Sequence, residues 1–275
     1  MLELAGYADR LSVRPGETIA FKVSSRRSGP YSARLVRIIC ADPNPKGPGL
    51  REENVAASFA GEHPSRFQPV RLGSHAEVAI GSGRLKNGAT LVATIWPTTP
   101  YKGRQAIIST LDDATGSGLA LEIDDTGRPS ATVGRAGKPP QRISLDERLR
   151  VRRWYRLSAS VDSDGVLSLA VVRLPSGRAN GLRVAIDGTA RPEAAGPLRI
   201  AASGGAEARH HFNGKIEAPA VFDRALQDHE VDEHAAGRIP EGLVADWDFA
   251  RETMTPRIVD TGPNRLDGTL VNLPT

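Results

Sequence analysis

Side chains that ionise, attack or coordinate must meet at useful spacing before a chain can do chemistry, and this one offers few such places. The densest is Glu122-Ile123-Asp124-Asp125. On a strand Glu122 and Asp124 would share a face, because side chains alternate, and two carboxylates facing a common space are what glycoside hydrolysis needs. The alternation breaks off at once, since Thr126 and Gly127 follow. The expected role is a solvated strand end running into the Asp125-Thr126-Gly127 turn.

His229 and His234 resemble a zinc-protease spacing but are five residues apart, about 140° around a helix instead of the about 40° that an i, i+4 pair subtends. A surface helix is expected there. His210 and His211, adjacent on an expected strand, would point to opposite faces and form no chelate. Asp162, Asp164, Asp246, Asp248 and Asp260 have the hard oxygens that calcium takes, although turn and capping roles account for them. Calcium is thus an alternative to a segment with no cofactor. Cys40 has no histidine nearby in sequence, and there is no Gly-x-Ser-x-Gly elbow, dinucleotide fingerprint or phosphate loop. No catalytic residue is assigned.

The run from Arg148 to Arg156 is strongly basic. If extended, it puts Arg148, Arg150, Arg152, Trp154 and Arg156 on one face and Leu149, Val151, Tyr155 and Leu157 on the other, with Arg153 an exception. Forked guanidinium donors beside an indole make a good protein contact surface. An interface with another domain or subunit is the functional reading, and an ordinary exposed sheet face the plain one. Sugar binding is the runner-up, with Trp96, Tyr101 and Asn180 as candidate ligand contacts. A solvent-facing indole ringed by polar groups would favour it, whereas a buried one would leave a scaffold.

The elements that must position these residues are strands. Leu91, Ala93 and Ile95 alternate with Val92, Thr94 and Trp96; Tyr155, Leu157, Ala159 and Val161 alternate with polar neighbours before the Asp162-Ser163-Asp164-Gly165 turn. Leu167, Leu169 and Val171 follow, then further short apolar runs to Phe222. Such spacing suits two facing antiparallel sheets. Only 226–236 reads as a helix, stopped by Gly237 and Pro240. Earlier, Ile19, Phe21 and Val23 alternate after the Pro15-Gly16 turn, a second strand runs over 33–40, and three prolines with two glycines in 42–49 make a long loop or linker. The expected division is a small β unit over 1–65 with its Pro/Gly-rich linker and a sandwich over 66–275, the segment 242–275 returning to complete a sheet.

Composition agrees with a globular protein, at 39% hydrophobic and 25% charged residues. The 36 basic and 32 acidic residues are spread along the 275 positions, so no nucleic-acid footprint is expected. A single cysteine and the lack of a leader or long apolar stretch point to a cytoplasmic protein with no membrane partner.

The residues also carry a resemblance. The segment 212–226 with Glu230, the hairpin 153–165, and the runs 73–79 and 91–97 resemble laminin G-like and concanavalin A-like jelly-roll domains. The segments 6–17, 33–43 and 47–49, together with 242–249 and 259–274, are similar to the large subunit of N,N-dimethylformamidases. That resemblance implies an all-β fold within a hydrolase that splits dimethylformamide into dimethylamine and formate. It places iron, held by tyrosines and a carboxylate, in a catalytic domain beyond Thr275. It also implies an oligomer, with that domain and a small subunit as partners. None of the four tyrosines matches an iron ligand, so the chain itself is expected to be a non-catalytic association module.

Overall fold

The computed structural model describes residues 2–68, 73–112, 114–175, 177, 179–192 and 196–272. The chain divides into two compact units, 1–71 and 72–275, a few residues beyond the expected boundary. The small unit holds β1 (Leu4–Ala8), β2 (Phe21–Ser25), β3 (Tyr31–Ala33), β4 (Leu35–Ala41), β5 (Leu50–Val55) and β6 (Gly61–His63). They pair antiparallel as β1 with β2, β3 with β6 and β4 with β5. The Pro/Gly-rich segment is the loop of the β4–β5 hairpin, not a linker, and Asp42 holds it by accepting a hydrogen bond from Asn44 N. The expected inward face fails here. Phe21, Ile38, Ile39 and Leu50 are all more than half exposed, because paired ribbons with no third layer cannot cover their own apolar sides.

The larger unit is a sandwich. Its strands are β7 (His75–Val78), β8 (Ala89–Pro97), β9 (Gln105–Ser109), β10 (Leu119–Ile123), β11 (Pro129–Arg135), β12 (Lys138–Ser144), β13 (Tyr155–Val161) and β14 (Val166–Arg173). There follow β15 (Ala179–Ala185), β16 (Ala190–Arg191), β17 (Leu198–Ile200), β18 (Gly214–Phe222), α1 (Asp228–Ala235), β19 (Leu243–Asp248), β20 (Arg257–Asp260) and β21 (Gly268–Val271). One sheet runs β19-β18-β8-β13-β14-β15 and the other β12-β11-β10-β9-β17-β7-β21-β20, joined where β19 pairs β20. The returning segment therefore closes the sandwich along one side.

The core lies between the sheets, where Leu91, Ile95, Leu121, Leu157, Leu169 and Ile200 are each at most 2% exposed. Each such side chain contributes about 1.5–3 kcal/mol of burial. Trp247 fills the join, fully buried, its indole N–H donating to the Leu266 carbonyl at 2.8 Å. Asp260 fixes the same corner by accepting from the backbone N–H groups of Asp246, Gly262 and Leu266. The helix α1 lays Val231 against Phe222, Leu226, Leu243 and Val92 on the outer face of the first sheet.

Candidate interaction surface

The arginine run does not form the extended face that its alternation predicts. Strand β13 begins only at Tyr155, and Val151 and Arg152 make a turn in which Arg152 takes φ 57. The reason lies in competing backbone partners. Leu149 N donates to Gly127 O at 2.9 Å, Arg150 N to the Tyr155 hydroxyl at 2.9 Å, and Arg152 N to Pro97 O at 2.8 Å. With Leu149 buried at 2% exposure as an anchor, the segment is a pinned loop. Arg148, Arg150, Arg152 and Arg153 project from it into solvent, and no ion pair engages them among the described residues. Arg156 belongs to the strand and reaches Asp232 on α1.

The sugar-contact candidates do not converge. Trp96 lies half-buried on the outer face of β8, with the Lys215 ammonium 5.2 Å from its ring centroid, so a cation occupies one face of the indole. Tyr101 is 53% exposed, but its hydroxyl donates to Leu149 O at 2.8 Å and its ring packs on Gly127, where a Cβ would meet it at 2.3 Å. Tyr101 thus braces the arginine loop. Asn180 pairs with Val171 on the edge strand β15, which puts it on the face opposite Trp96.

A groove of about 350 Å³ lies between α1 and the outer face of β13, β14 and β15. Register sets Ser160 directly across from Ser168, with Ser158 beside them. Arg156 and Arg183 meet Asp232 and Asp228 of α1 along its wall. The sequence signalled this only as the polar half of the β13–β14 alternation. A second, more apolar cavity of about 350 Å³ opens between the sheets near Phe212, Ile216, Phe249 and Leu270.

The acidic cluster is not a solvated strand end. Glu122 is fully buried and accepts from Arg104 Nε at 2.6 Å and Arg142 Nε at 3.0 Å, with the Thr132 hydroxyl as a third donor. Two guanidinium groups and a hydroxyl fill its oxygens, which is why burial is tolerated. Asp124 instead ties the following turn, accepting from Thr126 N and Arg128 N. Burial pushes its carboxyl up, but these hydrogen bonds outweigh that and hold it below its ordinary value.

The histidines also separate. His234 sits edge-on to Phe222 with Nε2 3.1 Å from Asp246 Oδ2, while His229 is exposed. His210 and His211 are in a loop and not on a strand, because His210 takes φ 52. His211 packs on His75, and burial together with that neighbour lowers its pKa. Asp162 and Asp248 accept from Val166 N and Ala250 N in their turns. Among the described residues, no group of three His, Cys, Asp or Glu is placed to hold a metal ion. No helix among them is long and apolar enough to cross a membrane.

Residues 72–232 match the family model described as the concanavalin A-like lectin/glucanases superfamily. The N,N-dimethylformamidase beta subunits of Paracoccus aminophilus and of an Alcaligenes species are 37% and 33% identical, each over 99% of this chain. The chain spans 40% of the length of either relative. A solved Bacteroides ovatus protein, described as carbohydrate-binding, superposes with a TM-score of 0.54 at 17% identity. It covers 80% of this chain and 65% of its own, a likeness of fold alone.

Proposed function

From the premise that this chain belongs to the concanavalin A-like lectin/glucanases superfamily, we propose that it is a non-catalytic module of an amide hydrolase of the N,N-dimethylformamidase type. Its role in this reading is to hold domains or subunits together. The observation that carries the proposal is that 99% of this chain matches 40% of each of two proteins named as beta subunits of that enzyme. Two features of this chain support it. The small unit leaves apolar side chains such as Phe21, Ile38 and Leu50 in solvent, and the sandwich presents a pinned arginine loop.

The two tyrosines of the sandwich do not fit the iron centre that the resemblance implies. Tyr155 is buried and its hydroxyl accepts from Arg150 N, while that of Tyr101 donates to Leu149 O. Among the described residues, no carboxylate is hydrogen-bonded to either hydroxyl. Polarising an amide carbonyl and activating water, the chemistry a metal would supply, belongs in this reading to residues outside those described.

A segment exchange tests the reading. This chain replaces the matching 40% of the Paracoccus aminophilus beta subunit, and assembly is followed by size-exclusion chromatography alongside dimethylamine release from dimethylformamide. The exchanged enzyme is expected to assemble and to release dimethylamine. A well-folded exchanged subunit that neither assembles nor hydrolyses would count against an association role.

A further inference from the structure

We propose that the loop formed by residues 148–153 is a docking surface for an acidic segment of a partner protein. The proposal rests on the association reading above and names the chemistry of the partner. Several arginines elsewhere in the sandwich have carboxylates: Arg104 and Arg142 share Glu122, Arg199 has Glu77, Arg224 has Glu230, and Arg257 has Asp267, whereas scattered ones such as Arg84, Arg173 and Arg265 have no ion pair among the described residues. Arg148, Arg150, Arg152 and Arg153 are exposed and have none among the described residues, even though Asp146 and Glu147 precede them in the chain.

The loop is also built to hold its shape. Its backbone bonds to Gly127, Pro97 and Tyr155, the Tyr101 hydroxyl and the buried Leu149 fix it at both ends and in the middle. A non-glycine residue at φ 57 is strained and persists only where its surroundings impose it. The pinned backbone spares the cost of ordering the loop when a partner arrives, so only the arginine side chains lose freedom on binding. Val151 and the ring of Tyr101, 43% and 53% exposed, supply apolar area within the same patch.

The small size of the basic patch favours an acidic protein segment over a nucleic acid. Guanidinium forks match carboxylates two bonds at a time. Asp146 and Glu147, both exposed at the base of the loop, would repel either kind of anion, but a duplex needs a longer basic footprint than one loop.

The test uses the purified chain and a fluorescein-labelled ten-residue polyglutamate peptide, followed by fluorescence anisotropy at low salt. Wild type is expected to bind, and Arg148→Gln/Arg150→Gln/Arg152→Gln/Arg153→Gln to weaken the dissociation constant about tenfold or more. Should the quadruple variant melt early, Arg148→Gln/Arg150→Gln and Arg152→Gln/Arg153→Gln are measured separately, each expected to lose about threefold or more. Arg26→Gln/Arg27→Gln, in the small unit, is expected to leave binding unchanged. No binding by wild type, or equal binding by the loop variants, overturns the proposal. So does a thymidine oligonucleotide that binds more tightly than the peptide. If the peptide fails while the segment exchange succeeds, only the arginine loop is discarded. The opposite pair of results would discard the association reading.

Discussion

Replacing Glu122 by alanine removes a carboxylate with no solvent exposure and strands two guanidinium groups, Arg104 at 15% and Arg142 at 35% side-chain exposure. Breaking a fully buried ion pair on one side costs about 3–5 kcal/mol, because the remaining charge has lost its partner. Here both arginines reach water and recover part of their hydration, so the expected loss is about 2–4 kcal/mol. For a unit of this size that lowers Tm by about 5–15 °C. Thermal unfolding followed by circular dichroism measures it. Glu122→Gln should lose less, since its amide oxygen still accepts one bond. A fall of less than about 2 °C for Glu122→Ala would refute the reasoning and return Glu122 to the role of a solvated strand end.

Three further outcomes are expected. Glu230 has its pKa lowered from 4.5 to about 2 by the hydrogen bond from Arg224, then by that from Gln227 N. A depressed carboxyl contributes stability above its unfolded value, so the Tm difference between wild type and Glu230→Gln should be full above about pH 4.5 and vanish as pH falls toward 2. Gly118 sits at φ +118, where a Cβ would lie 2.4 Å from Thr110 O, so Gly118→Ala should cost about 2–4 kcal/mol in denaturant unfolding. Trp247→Phe removes the bond to Leu266 O and leaves a void at the sheet join, an expected loss of about 2–3 kcal/mol in the same measurement.

The sandwich was legible because most inward positions of its central strands are apolar and its turns carry turn-forming residues. Leu157, Ala159 and Val161 lie inward as their alternation requires, and Asp162 to Gly165 turn the chain into β14. Alternation misled where partners lay far away in sequence. Nothing local says that Leu149, Arg150 and Arg152 will bond to Gly127, Tyr155 and Pro97, so an apparent strand became a loop. Glu122 was misjudged for the same reason, since Arg104 and Arg142 reach it only through the pairing of β9 to β12. In the small unit, alternation in Ile19, Phe21 and Val23 marked an apolar side without revealing that no layer of that unit would cover it.

The proposed role of this chain is to support chemistry that it does not itself perform. It is tested most directly by dimethylamine release from dimethylformamide, assayed for the purified 275-residue chain with ferrous iron supplied, beside the Paracoccus aminophilus enzyme under the same conditions. The account predicts release by that enzyme and none by the chain. Release by the chain alone would contradict it.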